Sequence, residues 1–461
     1  MADLIESVLR GLSGQLGGRV SRPGDDRYGA ATAIWAKPVG PMPRTVVHCQ
    51  TLQDIQLAIA AARSAGLSLS VRGGGHDWAG RALCDGLVLD LGDMRDVVVS
   101  RDERSARISG GARASDVLAT TDPRGLAAVT GSCSAVGMAG LTLGGGYGPL
   151  IGRFGLALDN LLAVDVVLAD GRIVTAEPGG EEEDLFWALR GGGGNFGVVT
   201  AMHIRLHELP NVVSGMLIYP FSEAKTVLWR LADITCSMPD ELTVQVGAVG
   251  SPDGVPVILV VPTWRGSQAK GDDYIAPLLK LGTLLDNTID AVRYGTSLSV
   301  FDAHTVNGQR TIMDTCSLPA LAEPGVDVLV EAMTKAVSGG CAIFTHEFRG
   351  AAARVPVEAT AFCLRRDHLL IEILASFADC SDRSEERRHQ RWVRDTRLAF
   401  NALALPGGYP NLLGADDMDR VAESFGPNLD RLVRVKQLYD PDNVFRSAIP
   451  LPTSRRAIAA E

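Results

Sequence analysis

Residues 125–152 read GLAAVTGSCSAVGMAGLTLGGGYGPLIG, twenty-eight positions without a charged side chain, nine of them glycine. Two readings compete. The length and the lack of charge suit a bilayer span, which needs about 20 consecutive apolar residues. The glycines, with Ser, Thr, Pro and Tyr among the rest, suit a buried loop system made largely of backbone. The second reading fits better, because this glycine density is not confined to the stretch. Residues 66–197 hold 27 of the chain's 51 glycines, whereas average usage is about 7%. Neither a collagen-like triplet period nor a Pro/Ser-rich linker composition accompanies them. One third of the chain therefore needs tight turns, or backbone that closely approaches something else.

The bulk composition bounds the rest. With 461 residues, 46% of them apolar and 21% charged, the chain is globular and long enough for two large domains or three ordinary ones. Net charge is −10, and the 44 basic residues are scattered. A nucleic-acid binder would instead gather them in a stripe, so neither a nucleic-acid nor a membrane partner is expected. Eight cysteines form no CxxC pair, which disfavours a zinc ribbon or a redox dithiol and suits a reducing compartment. The N-terminal MADLIESVLRGLSGQLGG carries acids and has no apolar core of a signal peptide. A cytoplasmic location and no metal site are the expectations; oligomeric state is not legible.

Outward from the opening stretch, residues 43–65 predict a strand and an amphipathic helix that stops at Gly66. LSLSVRGGGH predicts a strand running into a glycine loop. LLAVDVVLADGRIVTA predicts a hairpin turning at Asp170-Gly171. DLFWALRGGGG predicts a short helix, and FGVVTAMHIRLHEL a long strand. The strict strand–helix alternation of a doubly wound sheet is absent. From 211 to 404 longer strands (LTVQVGAVG, VPVILVVPTW, AIFTHEFRG, HLLIEILASF) alternate with long helices, which predicts a second unit with a sheet backed by helices on one side. A Gly/Pro-rich passage and a helix near 416–438 follow. The fold class is α+β, with units at 1–210 and 211–404 and a C-terminal return at 405–461.

Gly192-x-Gly194-x-x-Gly197 matches the GxGxxG dinucleotide pattern, but it follows a helix and opens a strand. The pattern needs the reverse order, so that a helix N-terminus faces the pyrophosphate. Val71-Arg72-Gly73-Gly74-Gly75-His76 says more. Successive amides in such a strand-exit loop make an anion-binding nest, and an imidazole nucleophile follows at once; the residues alone are equally a glycine turn beside a surface histidine. Cys133, in Gly131-Ser132-Cys133-Ser134-Ala135-Val136-Gly137-x-x-Gly140, is by itself equally a small buried residue.

Taken together, VRGGGH, GSCSAVG with GGGYG, FGLALDNLLAVDVVLADG, LFWALRGGGGNFGVVT and the C-terminal RLVRVKQLYDPDNVF resemble the berberine bridge enzyme-like FAD-linked oxidases of the vanillyl-alcohol oxidase superfamily. The resemblance covers most of 30–208 and 405–448, in family order and spacing. It implies a two-part PCMH-type FAD-binding domain with an inserted α+β substrate domain, whose antiparallel sheet is backed by helices. It also implies FAD bound covalently, through His76 to the 8α-methyl and Cys133 to flavin C6. The first bond uses imidazole nitrogen against an electrophilic methyl; the second needs thiolate character. Arg72, Gly73, Gly74, Gly75 and Asp77 would line the cofactor channel. So would Gly131, Ser132, Gly137, Gly140, Gly144, Gly146, Tyr147 and Gly148. Asn195, Phe196, Gly197 and Val199 fall near adenine and pyrophosphate, and Tyr409 and Asn411 near the flavin ring; from the residues alone, Asn195 and Asn411 read equally as turn formers.

The same resemblance makes Val136 a gate for oxygen, with a small side chain going with oxidases. The implied activity is oxidation of a small molecule (a sugar, alkaloid or polyketide-like C–O or C–N centre) by hydride transfer to flavin N5, with O2 as oxidant and H2O2 as product. One departure concerns the base. Where many members have a second tyrosine in Y-x-N-Y, this chain has Leu412. Tyr409 and Glu347 are therefore the catalytic candidates, unless hydride leaves without a strong base: Thr345 and Glu347 share one strand face, the resemblance to the strand that faces flavin in this family implies Glu347 as base or as a cation-binding carboxylate, and a buried carboxyl acquires the raised pKa a base needs. A solvated sheet charge is the plain alternative for Glu347, and Arg366 and His346 stand behind it. The rival functions are a flavin dehydrogenase with another electron acceptor and a catalytically silent binding protein on the same scaffold.

Overall fold

The computed structural model describes residues 2–451 apart from 38, 41, 251–253, 379–382, 415–416, 447–448 and 450. The opening stretch is a loop system. It holds the short strand Leu126–Ala127 and the helices Met138–Gly144 and Ile151–Phe154. Among the described residues no helix is long and apolar enough to cross a membrane.

Three larger sheets and one two-stranded sheet are present among the described residues. The first has the order Val20–Ser21, Thr45–His48, Leu87–Asp90, Leu69–Arg72, and its last three strands are parallel. Helix Leu52–Ala65 makes the crossover. It starts at a capping box between Thr51 and Asp54 and stops at Gly66, whose φ of 62° is the left-handed value glycine takes without a Cβ clash. Its Ile55, Ala58, Ile59 and Ala62 recur at helical spacing and pack with Leu9, Leu12, Val47 and Leu89. One βαβ unit thus does exist, at residues 45–72, although the alternation goes no further.

The second sheet is antiparallel, in the order Val97–Val99, Ser105–Ser109, Val198–Arg205, Leu161–Val167, Ile173–Ala176. The 161–176 hairpin turns at Gly171, φ 88°. Among the described residues the third large sheet has nine strands between Val212 and Phe377. One face is covered by helices Ala224–Thr235, Glu323–Thr334 and Arg383–Ala399, through Leu228, Leu231, Val326, Leu329 and Trp392 against Val246, Ile343, Ile371 and Ile373. The opposite face turns toward the glycine-rich loops.

The inserted unit is not a separate bead. Tyr294, Leu298, Phe348, Phe362 and Leu370 join the same buried cluster as Leu143, Phe186 and Tyr409, and Arg365 pairs with Asp159 at 2.8 Å. The helix expected near 416–438 is two helices, Met418–Phe425 and Leu429–Tyr439, interrupted at Gly426-Pro427. Proline removes a backbone donor there. Lys436 then fastens the return: its ammonium donates to the Asn195 carbonyl (2.7 Å), the Phe445 carbonyl (2.8 Å) and the Asp440 carboxylate (2.6 Å).

Candidate active site

A cavity of about 880 Å³ lies between the glycine-rich loops and the open face of the third sheet. The loop wall exists because backbone meets backbone. A Cβ on Gly74 would sit 2.4 Å from Gly137 Cα, and one on Gly137 would sit 2.5 Å from Gly74 N. No side chain fits at either place, so the loop carrying His76 is pressed against the loop carrying Cys133.

His76 lines the cavity. Its ring stacks on Trp35 with centroids 4.8 Å apart and planes 19° apart, and its buried Nδ1 has no partner within the protein. Burial lowers its pKa to about 4, against an opposing pull from the Glu372 carboxylate. The imidazole is therefore neutral near pH 7, as a nitrogen nucleophile must be. Cys133 is 6% exposed. Burial pushes its thiol up to about 12, and the amides of Ala135 and Val136 only partly oppose this. The chain by itself thus holds Cys133 as a thiol, not a thiolate.

Gly73, Gly74, Gly75 and Asp77 line the cavity with His76. The Asp77 carboxylate is committed to its own loop, accepting from Ala79 N (3.0 Å) and Ala82 N (2.7 Å). Gly131, Ser132, Val136, Gly137 and Gly140 line it beside Cys133, and Tyr147, Gly197, Val199, Tyr409 and Asn411 complete the expected residues that reach it.

Six expected cofactor contacts lie elsewhere. Arg72 is 5% exposed and ion-paired to Asp90 at 2.8 Å; Asp90 also holds His48, which reaches Ser21. That chain props the strand beneath the loop. Gly144 gives room to the Asn411 amide, and Gly146 N donates to the Tyr409 hydroxyl at 2.7 Å. Gly148 packs on the Thr130 carbonyl and lines a small pocket that adjoins the cavity at Ser132, Tyr147 and His346. Asn195 donates to the Gly192 and Ile449 carbonyls, both at 2.7 Å, and Phe196 is wholly in the core. These residues shape the walls rather than face the space.

Glu347 is a correction. On strand Cys341–Phe348, Ala342, Phe344 and His346 face the cavity, and Glu347 is on the other side of the strand. Its carboxylate accepts from Val244 N at 3.0 Å, beside a pocket of about 20 Å³. The alternation was legible, but which face met the cavity was not. Burial raises the Glu347 pKa to about 7. Between the ordinary carboxyl value of about 4.3 and that value, the folded chain holds a proton the unfolded chain has lost. Stability therefore falls as pH rises through this window. Glu347→Gln is expected to raise Tm relative to wild type at pH 8 more than at pH 5, measured by thermal melts at both; an equal effect at both would contradict this ionisation.

Tyr409 is a poor base: it is 2% exposed, burial raises its pKa well above the phenol value, and its oxygen accepts from Gly146. Arg366 is exposed. The group at the cavity that was missed is Glu372, on strand His368–Phe377. Its Oε2 is 2.9 Å from His346 Nε2, and the two side chains are 13% and 8% exposed. Its charge acts on His76, Cys133 and Tyr147 alike. The available signal was the lone acid inside the apolar run HLLIEILASF. Trp35, also on the cavity wall, carried no signal at all.

Comparisons with known proteins bear on the family and the fold. The FAD binding domain family model matches residues 43–177 and the "Berberine and berberine like" model residues 407–452. The (R)-6-hydroxynicotine oxidase of Paenarthrobacter nicotinovorans is 30% identical over 443 residues, covering 93% of this chain and 95% of that protein. An uncharacterized FAD-linked oxidoreductase of Bacillus subtilis, YgaK, is 28% identical, covering 96% of this chain and 99% of that protein. The crystal structure of 6-hydroxy-D-nicotine oxidase from Arthrobacter nicotinovorans superposes with a TM-score of 0.86 at 28% identity, covering 95% of this chain and 98% of that one.

Proposed function

Because the chain belongs to the berberine bridge enzyme-like FAD-linked oxidoreductases, we propose that it is an oxidase holding its FAD through both His76 and Cys133. The residues fit the cofactor on two grounds. A neutral imidazole with a buried, unpartnered nitrogen stands at the cavity, and Cys133 lines the same cavity on the loop pressed against it, where its thiol must lose its proton before it bonds. FAD, when bound, supplies a hydride acceptor that O2 can regenerate with release of H2O2.

The observation that carries the reading is the opposition of two walls. His76 and Cys133 are on one, and the His346–Glu372 pair is on the other. A substrate between them is held by an apolar face made of Met216, Ile218, Leu259, Phe344 and Leu374, with Gln245 as a neutral polar contact. The His346–Glu372 pair takes the proton that the substrate's O–H or N–H loses as hydride leaves the adjacent carbon. Among the described residues the third sheet contributes a carboxylate and no Lys or Arg to the cavity. That favours neutral or cationic substrates over carboxylates and phosphates. The relative named for 6-hydroxynicotine supports a C–N centre.

The test is a screen for H2O2 release over apolar amines and alcohols, followed by anaerobic reduction and mixing with oxygen. Rapid reoxidation is expected, and Val136→Leu should slow it without changing the rate of reduction. Reoxidation over minutes in the unaltered protein would make it a dehydrogenase, and a colourless protein would make it a silent scaffold.

A further inference from the structure

Trp35 belongs to no motif, yet it occupies a particular place. Its backbone N–H donates to the Gly75 carbonyl (2.9 Å), and the next N–H, of Ala36, donates to the Asp77 carbonyl (3.2 Å). The 34–37 segment therefore runs alongside the His76 loop like an added strand. Its other edge is held by the inserted unit. Gly308 N donates to the Ile34 carbonyl (2.8 Å) and the Trp35 carbonyl (3.1 Å), Lys37 N to the Gln309 carbonyl (2.7 Å), and the Asn307 amide to the Ala33 carbonyl (2.8 Å). Fixed on both sides and 9% exposed, the indole lies face to face on the His76 imidazole.

We propose that Trp35 is a positioning residue for the bond between His76 and the flavin. A histidine on a glycine loop is free to rotate about both side-chain torsions, and the terminal one is broad. A flat partner against one face fixes the plane of the ring and so the direction in which its edge points, and that edge carries the unpartnered nitrogen. The bond replaces one C–H of the flavin 8-methyl by C–N. The methyl proton and the imidazole N–H proton are released, the electron pair of the C–H bond stays with the flavin, and O2 takes that pair and two protons as H2O2. The step is sensitive to geometry because nitrogen must approach one carbon along one direction. Cys133 is on a different loop, so its bond is expected to survive loss of the indole.

This inference rests on the two-bond reading above. The test is peptide mass mapping of purified, flavin-loaded full-length protein after denaturation, with the visible spectrum of each sample before it. Wild type should carry flavin joined to both the His76 and the Cys133 peptides. Trp35→Ala should lose the His76 link, keep the Cys133 link and show the shifted spectrum of His76→Ala. Trp35→Phe, which keeps a flat ring, should retain both. If Trp35→Ala does not fold, Trp35→Leu preserves apolar volume without a flat face and should show the same selective loss. A fully flavinylated His76 peptide in Trp35→Ala or Trp35→Leu would overturn the role of Trp35 alone. Its absence from wild type would overturn the linkage reading, and the inference with it.

Discussion

Glu372→Gln is expected to slow substrate-dependent flavin reduction by about 10²–10⁴-fold, the range general base catalysis contributes, while flavin content and linkage stay as in wild type. The reason is the setting of the carboxylate. It faces the cavity, contacts His346 at 2.9 Å and is exposed only 13%, so water does not substitute for it. Glutamine keeps the size and a hydrogen bond but removes the charge that draws a proton onto the pair. Its loss also removes a negative charge felt by His76, Cys133 and Tyr147. Stopped-flow reduction under anaerobic conditions reads the effect directly, because oxygen chemistry is excluded. A variant within about tenfold of wild type, below the usual span for a base, would move the proton acceptor elsewhere. Glu347→Gln is the matched control, since that carboxylate accepts from Val244 N away from the cavity.

Removing both proposed attachment points is the second large change. His76→Ala and Cys133→Ala each leave one bond, so acid-precipitated protein of either single variant should stay yellow. The double variant should release all its flavin into the supernatant. The loop contact at Gly74 and Gly137 is untouched by these substitutions, so the cavity walls persist and the loss reports bonding rather than unfolding. Thermal melts of the three variants check this. Flavin that remains with the precipitated double variant would identify a third attachment point.

Much of the fold was legible because local chemistry decides it. The capped helix ending at Gly66, the turn at Gly171 and the glycine loop after Arg72 each depend on residues next to one another. The sequence also indicated that 66–197 needed unusual backbone, and the contact between Gly74 and Gly137 is one realised example. What was not legible depends on which side of an element meets which partner. The alternation along Cys341–Phe348 is visible, but the packing of three helices on one face of the sheet decides that His346, not Glu347, meets the cavity. Arg72, Asn195 and Phe196 sit in familiar motifs, yet their side chains turn inward to an ion pair, two carbonyls and the core. Glu372 and Trp35 reach the site only because distant segments fold together, and a motif does not encode that.

In the proposed holoenzyme one flavin spans the His76 and Cys133 loops. The most direct measurement of this is the mass of the flavin-bearing fragment after proteolysis of denatured wild-type protein. A single species is expected, in which the peptide containing His76 and the peptide containing Cys133 are joined through one FAD-derived group. Two unmodified peptides, with all flavin recovered free, would contradict it.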